Sequence, residues 1–108
     1  MDVKLKPLFW DGTGEWIAVA GPRFVIGRAR DCHLRLASPI VSRRHCELRV
    51  EDDEAHVHDT QSRHGTFVNG QRVQGERVLR DGDQLCVAAC MFEVRMRPGW
   101  KSPRASLS

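Results

Sequence analysis

Apolar residues in this chain recur in short bursts, usually at every second position, and nowhere at a sustained helical spacing. "VKLKPLF" (3–9) alternates, and "DGTGE" reads as the turn after it. "EWIAVAG" and "RFVIG" follow, separated by Gly-Pro, and "HLRL" (33–36) alternates again. "HCELRVE" and "EAHVHD" predict a hairpin closed at Asp52 and Asp53. "GTFVNGQRV" places Asn69-Gly70 between two apolar runs, a strong short-range hairpin signal because both central positions of a tight hairpin turn favour positive φ. "ERVL", "DQLCVA" and "MFEVRMR" complete a set of about eleven short strands. Strands this short and this evenly spaced predict an all-β fold, a sandwich or a barrel.

The 108 residues fit one domain, taken as 1–97. The last stretch, "PGWKSPRASLS" (98–108), shifts to proline, serine and basic residues, and is expected to be a disordered tail or a linker. No apolar run nears the ~18 residues of a membrane span, and the N-terminal residues lack the apolar core of a secretory signal. The expectation is a cytoplasmic protein that does not enter a membrane. Its four cysteines, Cys32, Cys46, Cys86 and Cys90, are expected to be reduced, because their spacing matches neither a disulfide framework nor a zinc ribbon.

Charge alters this picture. The net charge is only +3, yet seven arginines fall within residues 21–50, and arginine outnumbers lysine fourteen to three. A planar guanidinium suits two-pronged contact with phosphate or carboxylate. Three polar segments stand out: the loop opening at Gly27-Arg28, "SPIVSRRH" (38–45), and "DTQSRHGTFVNG" (59–70). In a sandwich such loops gather at the sheet ends, where binding residues concentrate. If these three meet, they bring together Arg28, Ser42, Arg43, Arg63 and His64. Guanidinium forks, a hydroxyl and an imidazole suit a phosphate monoester, with its charge of about −1.5 to −2 and three acceptor oxygens.

"FVIGR" (24–28), "VSRRH" (41–45), "DTQSRHGTFVNG" (59–70) and "LRDGDQL" (79–85), in this order and spacing, resemble a forkhead-associated (FHA) domain over roughly residues 3–97. The resemblance implies an eleven-stranded β-sandwich with its ligand site in the loops at one end. It implies a signalling adaptor that binds phosphothreonine in partner proteins without catalysis or cofactor. The partner would be a substrate of a Ser/Thr protein kinase, or such a kinase itself. By the same resemblance, Arg28 and Ser42 contact phosphate, and Arg43 contacts phosphate or peptide backbone. Gly27, His45, Gly65, Thr66, Asn69 and Gly70 are structural: Gly27 lets the chain leave its strand, and the His45 ring braces the loops from behind. Arg44 is expected to face solvent. One position departs from the family pattern, which has asparagine before "GT" as its peptide-backbone contact. This chain has His64 there, preceded by Arg63. An imidazole offers one bond per ring nitrogen and does not copy both faces of an amide. Arg63 is expected to add a phosphate contact, and His64 a poorer backbone contact.

Other chemistries fit less well. Ser42 with His45 lacks an orienting acid and gives no catalytic triad. His56 and His58, with "CH" at 32–33 and "HC" at 45–46, lack metal-finger spacing, so no metal is expected. Nucleic acid would suit the arginines, but residues 28–66 contain no Phe, Trp or Tyr to stack on a base. An arginine-rich β-domain for other anionic partners, or an interaction domain without phosphopeptide binding, remains the alternative.

Overall fold

The computed structural model describes residues 2–8 and 14–97. The expected tail at 98–108, Phe9 and most of the first turn lie outside these residues. The described residues form eleven strands in two sheets, with no helix. They are β1 (Asp2–Pro7), β2 (Ile17–Ala18), β3 (Arg23–Gly27), β4 (Leu34–Arg35), β5 (Cys46–Glu51), β6 (Glu54–Asp59), β7 (Thr66–Val68), β8 (Gln71–Arg72), β9 (Glu76–Leu79), β10 (Gln84–Val87) and β11 (Cys90–Arg97). One sheet runs β2-β1-β11-β10-β7-β8, and the other β4-β3-β5-β6-β9. Without a helix long and apolar enough, no described segment crosses a membrane as a helix.

Alternation in the sequence becomes the core directly. Side chains on a strand take opposite faces in turn, so each apolar burst contributes every second residue inward. Leu5, Ile26, Leu48, Val57, Leu85 and Val94, from both sheets, are fully buried and pack in one cluster. Each such burial is worth about 1.5–3 kcal/mol relative to exposure. Cys46 belongs to this cluster, and burial pushes its thiol up to about 12. All four cysteines are free.

Three turns follow their residues. Asn69 and Gly70 both have positive φ (51° and 82°), as a tight hairpin turn requires. The Asn69 side chain also clips this hairpin to the turn before β10: its Nδ2 donates to Asp83 at 2.9 Å, and its Oδ1 accepts from the Gln84 N–H at 2.9 Å. Asp52 turns the β5–β6 hairpin with φ 50°, and the register Glu51↔Glu54 closes it as expected. One pairing differs from an all-antiparallel sandwich: β3 and β4 are parallel, with Ile26 opposite Leu34 and Gly27 opposite Arg35. The chain leaves β3, crosses the end of the sheet, and returns to run two residues beside it.

This topology assembles the three polar segments. Ile26 pairs with Cys46, and Cys46 with Asp59. The end of β3, the start of β5 and the end of β6 therefore lie side by side. The connections 28–33, 36–45 and 60–65 all open from the same end of the sandwich.

Candidate functional site

Gly27 fixes how closely the first two connections approach. A Cβ on it would stand 2.1 Å from the Arg43 carbonyl oxygen. Only glycine admits that contact, which is backed by hydrogen bonds from the Arg28 N–H to the Ser42 carbonyl (3.0 Å) and from the Ala29 N–H to the Arg43 carbonyl (3.1 Å). Its φ is not positive, so at the end of β3 this glycine is needed for the close approach of two backbones.

His45 is fully buried and holds the second connection to the third. Its Nδ1 accepts the Ser42 N–H at 3.1 Å, and its Nε2–H donates to the Gly65 carbonyl at 2.8 Å. Both ring nitrogens are thus occupied by backbone groups, and the Ser42 hydroxyl is not among their partners.

Ser42 ties the end together. Its N–H goes to His45, its carbonyl accepts from Arg28, and its Oγ accepts the Arg63 N–H at 3.1 Å. Each of its three polar groups therefore binds a different part of the site. The hydroxyl proton is left to donate outward.

The third connection is braced, around the expected Gly65 and Thr66, by Asp59, Thr60 and Ser62, which sequence reasoning passed over. Asp59 Oδ1 accepts from the Ser62 hydroxyl (2.6 Å) and the Thr66 hydroxyl (2.8 Å), and Oδ2 accepts the Ser62 N–H (3.2 Å). Ser62 Oγ in turn accepts the Gly65 N–H at 3.1 Å. Thr60 donates its hydroxyl to the Arg44 and His45 carbonyls. The signal was present as "DTQS", an Asp whose carboxylate can cap the backbone just after it. Gly65 itself has φ +90°, and a Cβ there would meet the Phe67 ring at 2.9 Å.

On this frame lies an open cleft of about 280 Å³. It is lined by Arg28, Ser42, Arg43, Arg63 and His64, together with an apolar wall of Pro39, Ile40 and Val41. All five residues expected to face a ligand line this one cleft. Arg28 is held through its Nε, which donates to the Val41 carbonyl at 3.0 Å and leaves its two Nη groups for a ligand. Arg44 is different: its exposed guanidinium pairs with Asp31, away from the lining. Asn69 and Gly70 also lie outside the lining, consistent with an architectural place.

The site is electrostatically one-sided. Among the described residues, Arg28, Arg43 and Arg63 have no carboxylate partner. Three guanidiniums and a hydroxyl around an open cleft can take a dianion with charge-assisted hydrogen bonds. His33 accepts the Val25 N–H at 2.9 Å, His56 lies between Glu54 and Glu76, and no group of three His, Cys, Asp or Glu among the described residues could hold a metal ion.

Known proteins resemble this chain closely. The sequence profile of the family described as FHA domain matches residues 24–88. The FHA domain-containing protein FhaA of Mycobacterium tuberculosis is 38% identical over 86 residues, which cover 80% of this chain and 16% of FhaA. What is shared is thus a domain and a small part of that protein. A structure solved in a study of phosphothreonine-dependent FHA domain interactions superposes with a TM-score of 0.81 at 36% identity, over 91% of this chain and 99% of that one. The FhaA FHA domain, solved in complex with the intracellular domain of Rv3910, superposes with a TM-score of 0.77 at 35% identity, over 86% and 99% of the two chains.

Proposed function

The chain belongs to the FHA domain family, and from that premise we propose that residues 1–97 form a cytoplasmic phosphothreonine-binding module that docks phosphorylated partner proteins without catalysis. The observation that carries this is the placement of Ser42. It is bonded to all three connections, and its hydroxyl, which donates to no group among the described residues, stands beside three guanidiniums that have no carboxylate partner there. The His45 imidazole accepts the Ser42 backbone N–H and not its hydroxyl, which supports a site that holds an anion without transforming it.

In this reading the Arg28 Nη groups and the Ser42 hydroxyl grip the phosphate. Arg43 and Arg63 close on its remaining oxygens or on the peptide backbone, and His64 meets the backbone beside it. Pro39, Ile40 and Val41 supply an apolar wall against which a threonine methyl can pack. A buried methyl is worth about 0.8 kcal/mol, so phosphothreonine is favoured over phosphoserine by several-fold. The partner is the substrate of a Ser/Thr protein kinase, or the kinase itself.

The test is a peptide library presented as phosphothreonine, phosphoserine and unmodified threonine. Phosphothreonine peptides are expected to bind, phosphoserine several-fold weaker, and unmodified peptides not at all. Equal binding with and without phosphate would overturn the reading.

A further inference from the structure

We infer that the preferred ligand is an acidic phosphopeptide: a phosphothreonine accompanied by further negative charge, supplied by flanking carboxylates or by a second phosphate, and held by Arg30 and Arg35 beside the cleft. The inference rests on the proposed function and narrows its substrate class.

The argument is a count of charges at one end of the molecule. Arg28, Arg43 and Arg63 already exceed the charge of one phosphate monoester, about −1.5 to −2. Two more arginines extend the same surface. Arg35 donates its Nε to the Arg28 carbonyl at 3.0 Å, which seats it against the first phosphate arginine and leaves its Nη groups free. Arg30 is exposed two residues after Arg28, in a turn closed by the Cys32 N–H on the Ala29 carbonyl (3.2 Å). Neither has a carboxylate partner among the described residues.

The nearby acids are already engaged. Asp31 pairs with Arg44, and Asp59 takes three hydrogen bonds from Ser62 and Thr66. Neither is left as a counter-ion for the surplus. Arg23, Arg49 and Arg95 on the sheets do pair with carboxylates, whereas the loop-end arginines Arg28, Arg43 and Arg63 gather around one cleft without any among the described residues. A field of one sign works against the compact state and is offset when an anion binds. A nucleic acid is the less fitting polyanion, because no Phe, Trp or Tyr lines the cleft for stacking.

Calorimetry of the full chain with one peptide sequence in four forms tests this: phosphothreonine with neutral flanks, phosphothreonine with Asp and Glu flanks, a doubly phosphorylated form, and the acidic form without phosphate. At low salt each added carboxylate is expected to tighten binding about two- to fivefold, and the second phosphate about tenfold. The gain shrinks at 1 M salt, where the Debye length falls to about 3 Å. The double variant Arg30→Gln/Arg35→Gln is expected to lose the gain and keep the neutral phosphopeptide within about twofold. Arg30→Gln alone, which breaks no hydrogen bond of the described residues, is expected to lose part of it. Equal affinity for neutral and acidic phosphopeptides would overturn the inference and leave the phosphothreonine reading standing. Failure of every form to bind would overturn both. Displacement of the acidic phosphopeptide by an oligonucleotide of equal charge would replace it with indiscriminate polyanion binding.

Discussion

Two arginine clusters lie close together in sequence and are used in opposite ways. On the outer face of the five-stranded sheet, Arg23 grips Glu47 with two prongs, at 2.6 and 3.1 Å, and Arg49 adds a third bond at 3.1 Å. The Glu47 side chain is only 7% exposed, and the hydrogen bond from Arg23 holds its carboxyl below the ordinary value of 4.5. At the loop end, Arg28, Arg43 and Arg63 surround a cleft with no acid among them. There the structure is held by His45, by Ser62 on the Asp59 carboxylate, and by backbone bonds. The first cluster is charge used for cohesion. The second is charge kept available by a frame that does not depend on it. Mutations should therefore separate stability from binding, and each prediction below tests that separation.

The largest effect belongs to the frame. His45→Ala orphans the Ser42 N–H and the Gly65 carbonyl and leaves a cavity where the ring was. The expected loss is about 3 kcal/mol, or roughly 12–24 °C in Tm, with binding weakened as a consequence. Calorimetric melting checks it. A variant that melts like the parent but has lost all binding would make His45 a contact residue and erase the division.

Arg28→Ala probes the other side. Hydrogen bonds to a charged group are worth about 1.5–3 kcal/mol, so phosphopeptide affinity is expected to fall ten- to a hundredfold. Arg23→Ala is the matched control and should leave affinity unchanged. Titration calorimetry of both variants with one peptide decides. If Arg23→Ala weakens binding as much as Arg28→Ala, the sheet-face cluster is not separate from the site.

Glu47→Gln gives a smaller effect, of opposite kind. The partners of Glu47 are solvent-screened, so its replacement should cost about 1 kcal/mol at pH 7 and leave binding intact. Because the folded carboxyl titrates below its ordinary value, its stabilisation is complete above about pH 5 and is lost as pH falls through the depressed folded value. The parent should therefore lose stability across that acidic range, and Glu47→Gln should lose less of it. Parallel acid slopes in urea melts at pH 3–7 would remove Glu47 from the account.

Much of this was legible in the sequence. Period-two alternation marked most of the strands; β3, buried from Phe24 to Gly27, and β8, two exposed polar residues, do not follow it. The β5–β6 and β7–β8 hairpins followed from their turn residues. The five cleft residues were legible too, since they fall in polar segments between predicted strands. Partners were harder to see. Nothing in "RFVIG" or "CELRV" says that Arg23 meets Glu47, because that pairing depends on register across β3 and β5. Composition alone counts Arg23 and Arg28 alike. The reason for Gly27 was hidden likewise, since the Arg43 carbonyl it admits lies sixteen positions further on.

The finest separation is between neighbours. Arg63 and His64 both line the cleft, yet different physics is expected of them. The Arg63 backbone N–H is already fixed on Ser42 Oγ, so its position is set by the frame while its guanidinium stays free. Held there, it adds a fork toward a dianion, but desolvation and ordering oppose the gain, leaving a net of about 1 kcal/mol. Arg63→Ala should thus weaken binding about fivefold and reduce its salt sensitivity, because one charge-assisted contact is gone. His64 presents one bond per ring nitrogen where an amide would present a donor and an acceptor together. His64→Asn should therefore tighten binding slightly or leave it unchanged. Calorimetry of both variants with one phosphothreonine peptide at two salt concentrations settles the assignment. Should His64→Asn abolish binding while Arg63→Ala does nothing, the specific contact is the imidazole. Arg63 would then be a solvated charge with only its backbone in the frame, and the unpaired cluster would shrink to Arg28 and Arg43.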